Sequence, residues 1–508
     1  MKKALPIIAV LCTISGAAAQ NPIPRSMQED SCSYMSAAYW EQWNPEEQAR
    51  IDRDIDRYRK ADARIEIPDI AAGTEVEIEQ LSHDFVFGAH IFNYDQLGRT
   101  EYNDRYKELF GTLFNSATVA FYWKKFEMRP GERRFRGTYE DSEAFWNAQQ
   151  HPNELPHWRR PATDPVVEFC ESKGIRIHGH TLIWNNRRWH LPEWLAECMT
   201  ESERARWQQL LAPSGDGTGP NGYARADLDK LESLFAHYAD TLRRLCDERI
   251  RTIAEHYGER IDSWDVVNES ASDWERGRLM PGRKLCKSGS VLMPGDYPYR
   301  ALKSAERYFP AGVKLNINDY LRRPPYAEQV ESLLERGCKI DIMGVQMHLF
   351  QPQECLDIAE GHGSQTPEEV RRYIEWLSAP GLPLHLSEIT ITSPGDDRRE
   401  LMIQAIIARN LYRLWFSSER MMGITWWNVV DGCGAPGEPS TSGLFTRDMR
   451  PKPAYYALDG LINGEWKTRL TARPDREGVL RFRGFRGNYR LTWTDSEGGT
   501  RTQEYHLQ

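Results

Sequence analysis

The sequence predicts an α/β chain built on a (β/α)8 TIM barrel, with small β additions at its N- and C-terminal ends. Three observations carry this. Eight short apolar runs alternate with helical segments between Phe85 and Trp427, the pattern of a parallel sheet buried on both faces. No glycine-rich phosphate loop follows the first run, which disfavours the alternative, an open doubly wound sheet. Hydrogen-bonding and aromatic side chains gather at the ends of the apolar runs, where a parallel barrel keeps its functional groups.

Taken in order, residues 1–19 read as a signal peptide. Lys2-Lys3 is the charged region, Ala4 to Ile14 the apolar region, and Ala17-Ala18-Ala19 the cleavage site before Gln20. The expected location is secreted or periplasmic. The apolar run is too short to span a bilayer, and Ala9-Val10-Leu11 ahead of Cys12 is a poor lipoprotein signal. Residues 20–84 form a lead-in. Asn44-Pro45-Glu46-Glu47 caps a helix over Gln48–Lys60. The alternation of Ile65, Ile67, Val76 and Ile78 predicts an antiparallel hairpin turning near Ala72-Gly73.

The barrel is expected over 85–464. Its first strand is Phe85–Ile91, followed by Ala117–Phe121, Ile175–Thr181, Ser263–Asn268, Lys314–Asn318, Ile342–Met347, Leu384–Ser387 and Gly423–Trp427. Between them the helical patterns are Tyr102–Phe110, Asp164–Ser172, Leu228–Tyr257, Tyr297–Tyr308, Tyr326–Arg336, Pro367–Leu377 and Arg398–Ser417. From 465 to 508 the pattern changes to period two, separated by Gly484, Gly487 and Gly498-Gly499. That predicts a small antiparallel β unit, too small to stand alone and expected to pack on the 64–80 segment.

Composition narrows the function. With 508 residues and 40% apolar content the chain can bury a large core. The net charge of −9 comes from interspersed charges, so nucleic acid is not an expected partner, and no stretch beyond the leader predicts a membrane span. Of nine cysteines, eight remain outside the leader; they form no CxxC pair and no zinc spacing, and Cys170 and Cys246 sit in helical patterns as buried thiols. No metal and no cofactor is implied, and a monomer is expected. The 17 Trp and 22 Tyr suit a sugar cleft, because flat rings stack on pyranose faces.

The strand ends supply the chemistry. They read His178-Gly179-His180-Thr181-Leu182-Ile183-Trp184, Asn268-Glu269, Asn316-Ile317-Asn318-Asp319-Tyr320, Gln346-Met347-His348, Ser387-Glu388 and Trp426-Trp427-Asn428, with Asp431 beyond. Alone, Glu269 reads equally well as a solvated strand-end carboxylate. In a barrel, though, Glu269 on the fourth strand faces Glu388 on the seventh across the mouth. Glycoside hydrolysis needs such a pair: a protonated acid to donate to the leaving oxygen and an ionised partner, about 5–5.5 Å away in retaining enzymes, to attack the anomeric carbon. Asn268 beside the acid suits a sugar 2-hydroxyl.

Trp264-Asp265-Val266-Val267-Asn268-Glu269 resembles the acid/base motif of glycoside hydrolase family 10, the endo-β-1,4-xylanases. His180-Thr181-Leu182-Ile183-Trp184, Leu191-Pro192-Glu193-Trp194-Leu195, Gly344-Val345-Gln346-Met347-His348, Ser387-Glu388 and Gly423-Ile424-Thr425-Trp426-Trp427 resemble further motifs of that family in the expected order, over about residues 85–465. The resemblance implies that Glu269 is the general acid/base and Glu388 the nucleophile of a retaining xylanase acting on xylan or a related polysaccharide or oligosaccharide. It implies that Lys124, His180, Asn268 and Gln346 hold sugar hydroxyls, that Trp184 and Trp427 line the pocket, and that His348 hydrogen-bonds the nucleophile and helps to keep it ionised.

Departures from the family pattern are local. Its Glu-Asn before the second-strand Lys is replaced by Ala120-Phe121, its Asp two residues after the nucleophile by Thr390, and its His after Trp184 by Asn185. Three extra residues precede Leu191-Pro192, and loops at 136–162 and 270–296 stand ready to reshape the cleft. A cellulase-like or mixed-linkage β-glucanase and a non-catalytic glycan-binding protein on the same scaffold remain alternatives. A metal-dependent hydrolase using His178, His180, His348 and Asp431 fails because such barrels place their His pair on the first strand.

Overall fold

The computed structural model describes the chain apart from residues 1–21, 69, 152–159, 212–230, 272–273, 276–277, 280–292 and 294–295. The expected leader, Cys12, Cys286, the start of the long helix at Leu228 and parts of both flanking loops lie outside the described residues. Eight parallel strands close into a barrel. They are β3 (Val86–His90), β4 (Ser116–Ala120), β5 (Arg176–Trp184), β6 (Ser263–Asn268), β9 (Lys314–Asp319), β10 (Ile342–Leu349), β11 (Leu384–Ile391) and β12 (Met421–Trp426). Two-residue strands β7 (Trp274–Glu275) and β8 (Arg278–Leu279) pair with each other in the loop after β6. The ring closes where β12 pairs with β3. Nearly every residue in these strands is buried, so they read as continuous apolar runs rather than alternating ones.

Helix boundaries follow local chemistry. Asn44 accepts from Glu47 N and Pro45 opens the helix Pro45–Arg59. Asp397 and Glu400 form a reciprocal capping box at the start of Arg398–Ser417. Gly174, with φ 62°, ends Thr163–Lys173 in the left-handed region. Inside the barrel Gly179 is required by close approach: a Cβ there would meet Trp264 Cε3 at 2.3 Å.

The terminal segments correct one expectation. Residues 64–80 do not form a hairpin. Strand β1 (Lys60–Glu66) pairs with β14 (Val479–Phe485), while β2 (Val76–His83) is central in the sheet β13 (Arg469–Ala472), β2, β15 (Gly487–Thr494), β16 (Thr500–Leu507). Each N-terminal strand is completed by C-terminal ones, because period-two patterning fixes faces but not partners. The two sheets enclose their own apolar cluster, including Ile65, Ile78, Leu480, Tyr489 and Leu491. This unit meets the barrel at the N-terminal ends of the strands, where Phe85, Phe87, Phe416, Trp466 and Phe485 pack ring to ring. The seven described cysteines are all free thiols; Cys170 is buried as expected, whereas Cys246 is only partly buried. Among the described residues no helix is long and apolar enough to cross a membrane.

Candidate active site

A cavity of about 210 Å³ lies at the C-terminal ends of the strands, and both Glu269 and Glu388 line it. His180, Trp184, Asn268, Gln346, His348 and Trp427 line it too. A larger cleft of about 640 Å³, bordered by Arg243, Asp247, Arg300 and Arg307, contains neither of these glutamates. Size therefore does not choose the site; convergent strand-end groups do.

The two carboxylates are linked by a relay of amides. Asn318 Nδ2 donates to Glu388 Oε1 at 2.8 Å and to Asn268 Oδ1 at 2.9 Å. Gln346 Nε2 lies 3.3 Å from both Asn268 Oδ1 and Glu269 Oε1. Trp184 Nε1 donates to Glu269 Oε2 at 3.0 Å. Ser387 Oγ donates to Asn318 Oδ1 at 2.5 Å and fixes that amide's orientation. Asn318, visible in the sequence only as one of several strand-end polar residues, thus joins both halves of the site. Glu269 has φ 55°, a left-handed conformation rare outside glycine, and its N–H donates to Asn318 O at 2.7 Å. The extended run ends there, at the rim.

Below the mouth is a buried polar layer. Asp265 Oδ2 lies 2.9 Å from His178 Nε2 and 2.8 Å from His180 Nδ1. Burial alone would raise the Asp265 pKa, but the two histidines outweigh it and hold the group below the usual carboxylate range. An ionised Asp265 can only accept, so His178 Nε2 and His180 Nδ1 carry protons. His180 Nε2 is left 3.7 Å from Glu388 Oε1. Glu388 is pushed up to about 7, chiefly by burial; His180 and the Asn318 hydrogen bond oppose this, and Asp265 and Glu438 reinforce it.

One expectation needs correction and another is narrowed. Lys124 does not line the cavity. Strand β4 stops at Ala120, a short helix Trp123–Phe126 follows, and Lys124 Nζ is drawn to Glu193 Oε1 at 2.6 Å. Tyr122 takes the wall instead, packed edge-on to His180 and against Trp184. His348 approaches the nucleophile position, with Nε2 3.4 Å from Glu388 Oε2, but burial drives its pKa to about 4. A neutral ring cannot hold Glu388 ionised by charge.

Sequence reasoning did not single out Arg160, Phe92 or Glu438. The Arg160 guanidinium lies 4.2 Å from the Phe92 ring centroid and 5.5 Å from that of Tyr122, and Phe92 packs edge-on to Trp427. Glu438 accepts from Asn428 Nδ2 at 2.9 Å and from Ala435 N at 3.0 Å, and both Arg160 and Glu438 line the cavity. They lie in loops, where strand patterning carries no signal; the surplus of aromatics was the only hint.

Comparison with known proteins gives the family. The profile of Glycosyl hydrolase family 10 matches residues 79–460. The chain belongs to glycosyl hydrolase family 10. Anti-sigma-I factor RsgI6 of Acetivibrio thermocellus is 23% identical over 449 residues, covering 87% of this chain and 46% of that protein. Endo-1,4-beta-xylanase A of Thermoanaerobacterium saccharolyticum is 24% identical over 309 residues, covering 58% and 22%. Endo-1,4-beta-xylanase A of Halalkalibacterium halodurans is 26% identical over 336 residues, covering 59% and 72%. The chain thus spans less than half the length of the first two. The crystal structure of xylanase 10B from Thermotoga maritima superposes with a TM-score of 0.51 at 19% identity, covering 75% of this chain and 96% of that one, and supports the barrel fold.

Proposed function

We propose that this family 10 chain is a retaining glycoside hydrolase that cleaves β-1,4-xylosidic linkages in xylan. The observation that carries the proposal is the pairing of Glu269 and Glu388 in one cavity, in unlike surroundings and joined by Asn268, Asn318 and Gln346. Glu269, half-buried at the rim and held by Trp184 and Gln346, donates its proton to the leaving oxygen. Glu388, deep in β11, attacks the anomeric carbon to form a glycosyl-enzyme. Glu269, now a carboxylate, then takes a proton from the water that releases the sugar. His180, Asn268 and Gln346 offer hydrogen bonds to sugar hydroxyls, and Trp184 and Trp427 offer ring faces. The N-terminal leader read from the sequence fits an exported enzyme meeting a polymeric substrate.

The test is product analysis on xylan, substituted xylan and cellulose, with NMR of the newly released anomeric centre. Net retention and xylan products are expected; inversion would reject the double displacement, and preferential cleavage of cellulose would move the substrate to a glucan. One second reading has a specific observation behind it: the relative aligned over 87% of this chain is named an anti-sigma-I factor. On that reading the barrel binds glycan without cleaving it. Binding of xylan with no turnover in the wild-type protein would favour it.

A further inference from the structure

Thr390 lies two residues beyond Glu388, so the period-two alternation of a strand puts both on one face of β11, and Thr390 stands in register opposite His348 on β10. Thr390 Oγ1 is 2.8 Å from His348 Nδ1, and His348 Nε2 is 3.4 Å from Glu388 Oε2. Thr390 is fully buried, and the His348 ring stacks on Phe350 at 4.3 Å with planes 8° apart. One imidazole is clamped between a hydroxyl and a carboxylate, with its rotation blocked by an aromatic face.

A neutral imidazole owns a single N–H, so two tautomers compete. With the proton on Nδ1, the Nε2 lone pair faces Glu388 and repels its ionised form. With the proton on Nε2, the ring donates towards Glu388, and Nδ1 must then accept a hydrogen bond. A threonine hydroxyl can supply that hydrogen. A carboxylate at the same place could only accept, would demand a proton on Nδ1, and would favour the imidazolium.

We propose that Thr390 is a positioning residue whose hydroxyl donates to His348 Nδ1, fixes the neutral Nε2–H tautomer and aims one uncharged donor at Glu388. The inference rests on Glu388 being the nucleophile of the proposed glycosidase. Ionisation of Glu388 then proceeds against a neutral donor. Among the described residues, the groups that face Glu388 are Tyr122 after β4, His180 on β5, Asp265 on β6, Asn318 on β9, His348 on β10 and Glu438 in the loop after β12; those that act on His348 are Glu438, which raises its pKa, and Arg322, which lowers it. Burial dominates for both, leaving His348 at about 4 and Glu388 at about 7. The acid limb of kcat/KM accordingly falls near neutrality, and activity is lost as pH drops through it.

The test compares Thr390→Ser, Thr390→Asp and Thr390→Val through the pH dependence of kcat/KM on an activated aryl β-xyloside. Serine keeps the hydroxyl and should keep the acid limb. Aspartate should move the limb down by about one pH unit or more by charging His348, and valine should move it up by freeing the tautomer. Identical limbs in all four proteins would overturn the proposal. Long-range proton–nitrogen NMR of the wild-type histidine rings reads the tautomer without any turnover and without a variant that must fold. His348 should show a bare Nδ1 and a protonated Nε2 at pH 7; the reverse assignment overturns the clamp. The expected tautomer in a protein that cleaves no xyloside would leave the clamp standing and sink the glycosidase reading. The reverse tautomer in an active enzyme that Glu388→Ala abolishes would do the opposite.

Discussion

The tips of β6 and β11 each present a glutamate to the same cavity, and they are built in opposite ways. Glu269 stands one residue past the end of its strand, half-buried, with φ 55° and hydrogen bonds from Trp184 and Gln346. Glu388 sits within its strand, 5% exposed, above a buried layer of Asp265, His178 and His180. A rim group can meet a leaving oxygen and exchange protons with solvent; a group inside the barrel can meet only what enters the cavity. On the proposed mechanism, position along the strand, rather than residue type, separates acid from nucleophile.

The largest expected effect separates the two directly. Glu388→Ala should lower kcat on every substrate by about 10⁴-fold or more, since on the proposed mechanism it removes the nucleophile that forms the covalent intermediate. Glu269→Ala should cost about 10²–10⁴-fold on xylan, yet far less in glycosylation of the enzyme by an aryl xyloside with a good leaving group. Steady-state and burst kinetics on both substrates measure this, and equal losses for the two variants on the aryl xyloside would dissolve the contrast.

Burial of Glu388 also predicts a stability effect with a definite sign. Its pKa rises from 4.5 unfolded to about 7 folded. A group whose folded pKa is raised contributes stability below its unfolded pKa and loses it as pH rises through the folded one. Glu388→Gln should therefore stabilise the protein by up to about 3 kcal/mol at pH 8 and change little below pH 4. Denaturant titrations at both pH values decide it. On the other strand tip, Trp184→Phe removes the indole donor to Glu269 while keeping a ring in the wall. A hydrogen bond to a carboxylate is worth about 1.5–3 kcal/mol, so kcat/KM on xylan should fall on the order of tenfold, with no change in the Glu388-dependent acid limb.

Much of this contrast was legible in the sequence. Ser263–Asn268, Tyr297–Tyr308, Pro367–Leu377 and Arg398–Ser417 have the boundaries that pattern and capping predict, and of the seven residues expected around the two glutamates all but Lys124 line the cavity with them. What was not legible depends on chain returning from elsewhere. The partners of β1 and β2 are some 400 residues away, and alternation fixes only which face is apolar. Arg160 and Glu438 line the cavity from loops with no periodicity. The environment of Glu388 required knowing that Asp265 and two histidines form a buried layer near it.

Lys124 gives the smallest expected effect and the sharpest limit on reading function from motif position. By resemblance it is a residue that holds a sugar hydroxyl. In the structure its chain turns into a short helix after Tyr122, and its ammonium pairs with Glu193 at a site where the Lys124 and Glu193 side chains remain 27% and 61% exposed. Such a pair contributes about 0–1 kcal/mol, because water screens it and two long side chains must be ordered to make it. Lys124→Ala should therefore leave kcat and KM on xylo-oligosaccharides within about twofold of wild type. Tyr122→Ala, which opens the wall shared by Trp184 and His180, should instead raise KM clearly. A large KM effect of Lys124→Ala on oligosaccharides would mean that the amine swings from Glu193 to the substrate on binding, and the wall formed by Tyr122 would then be only half of that subsite.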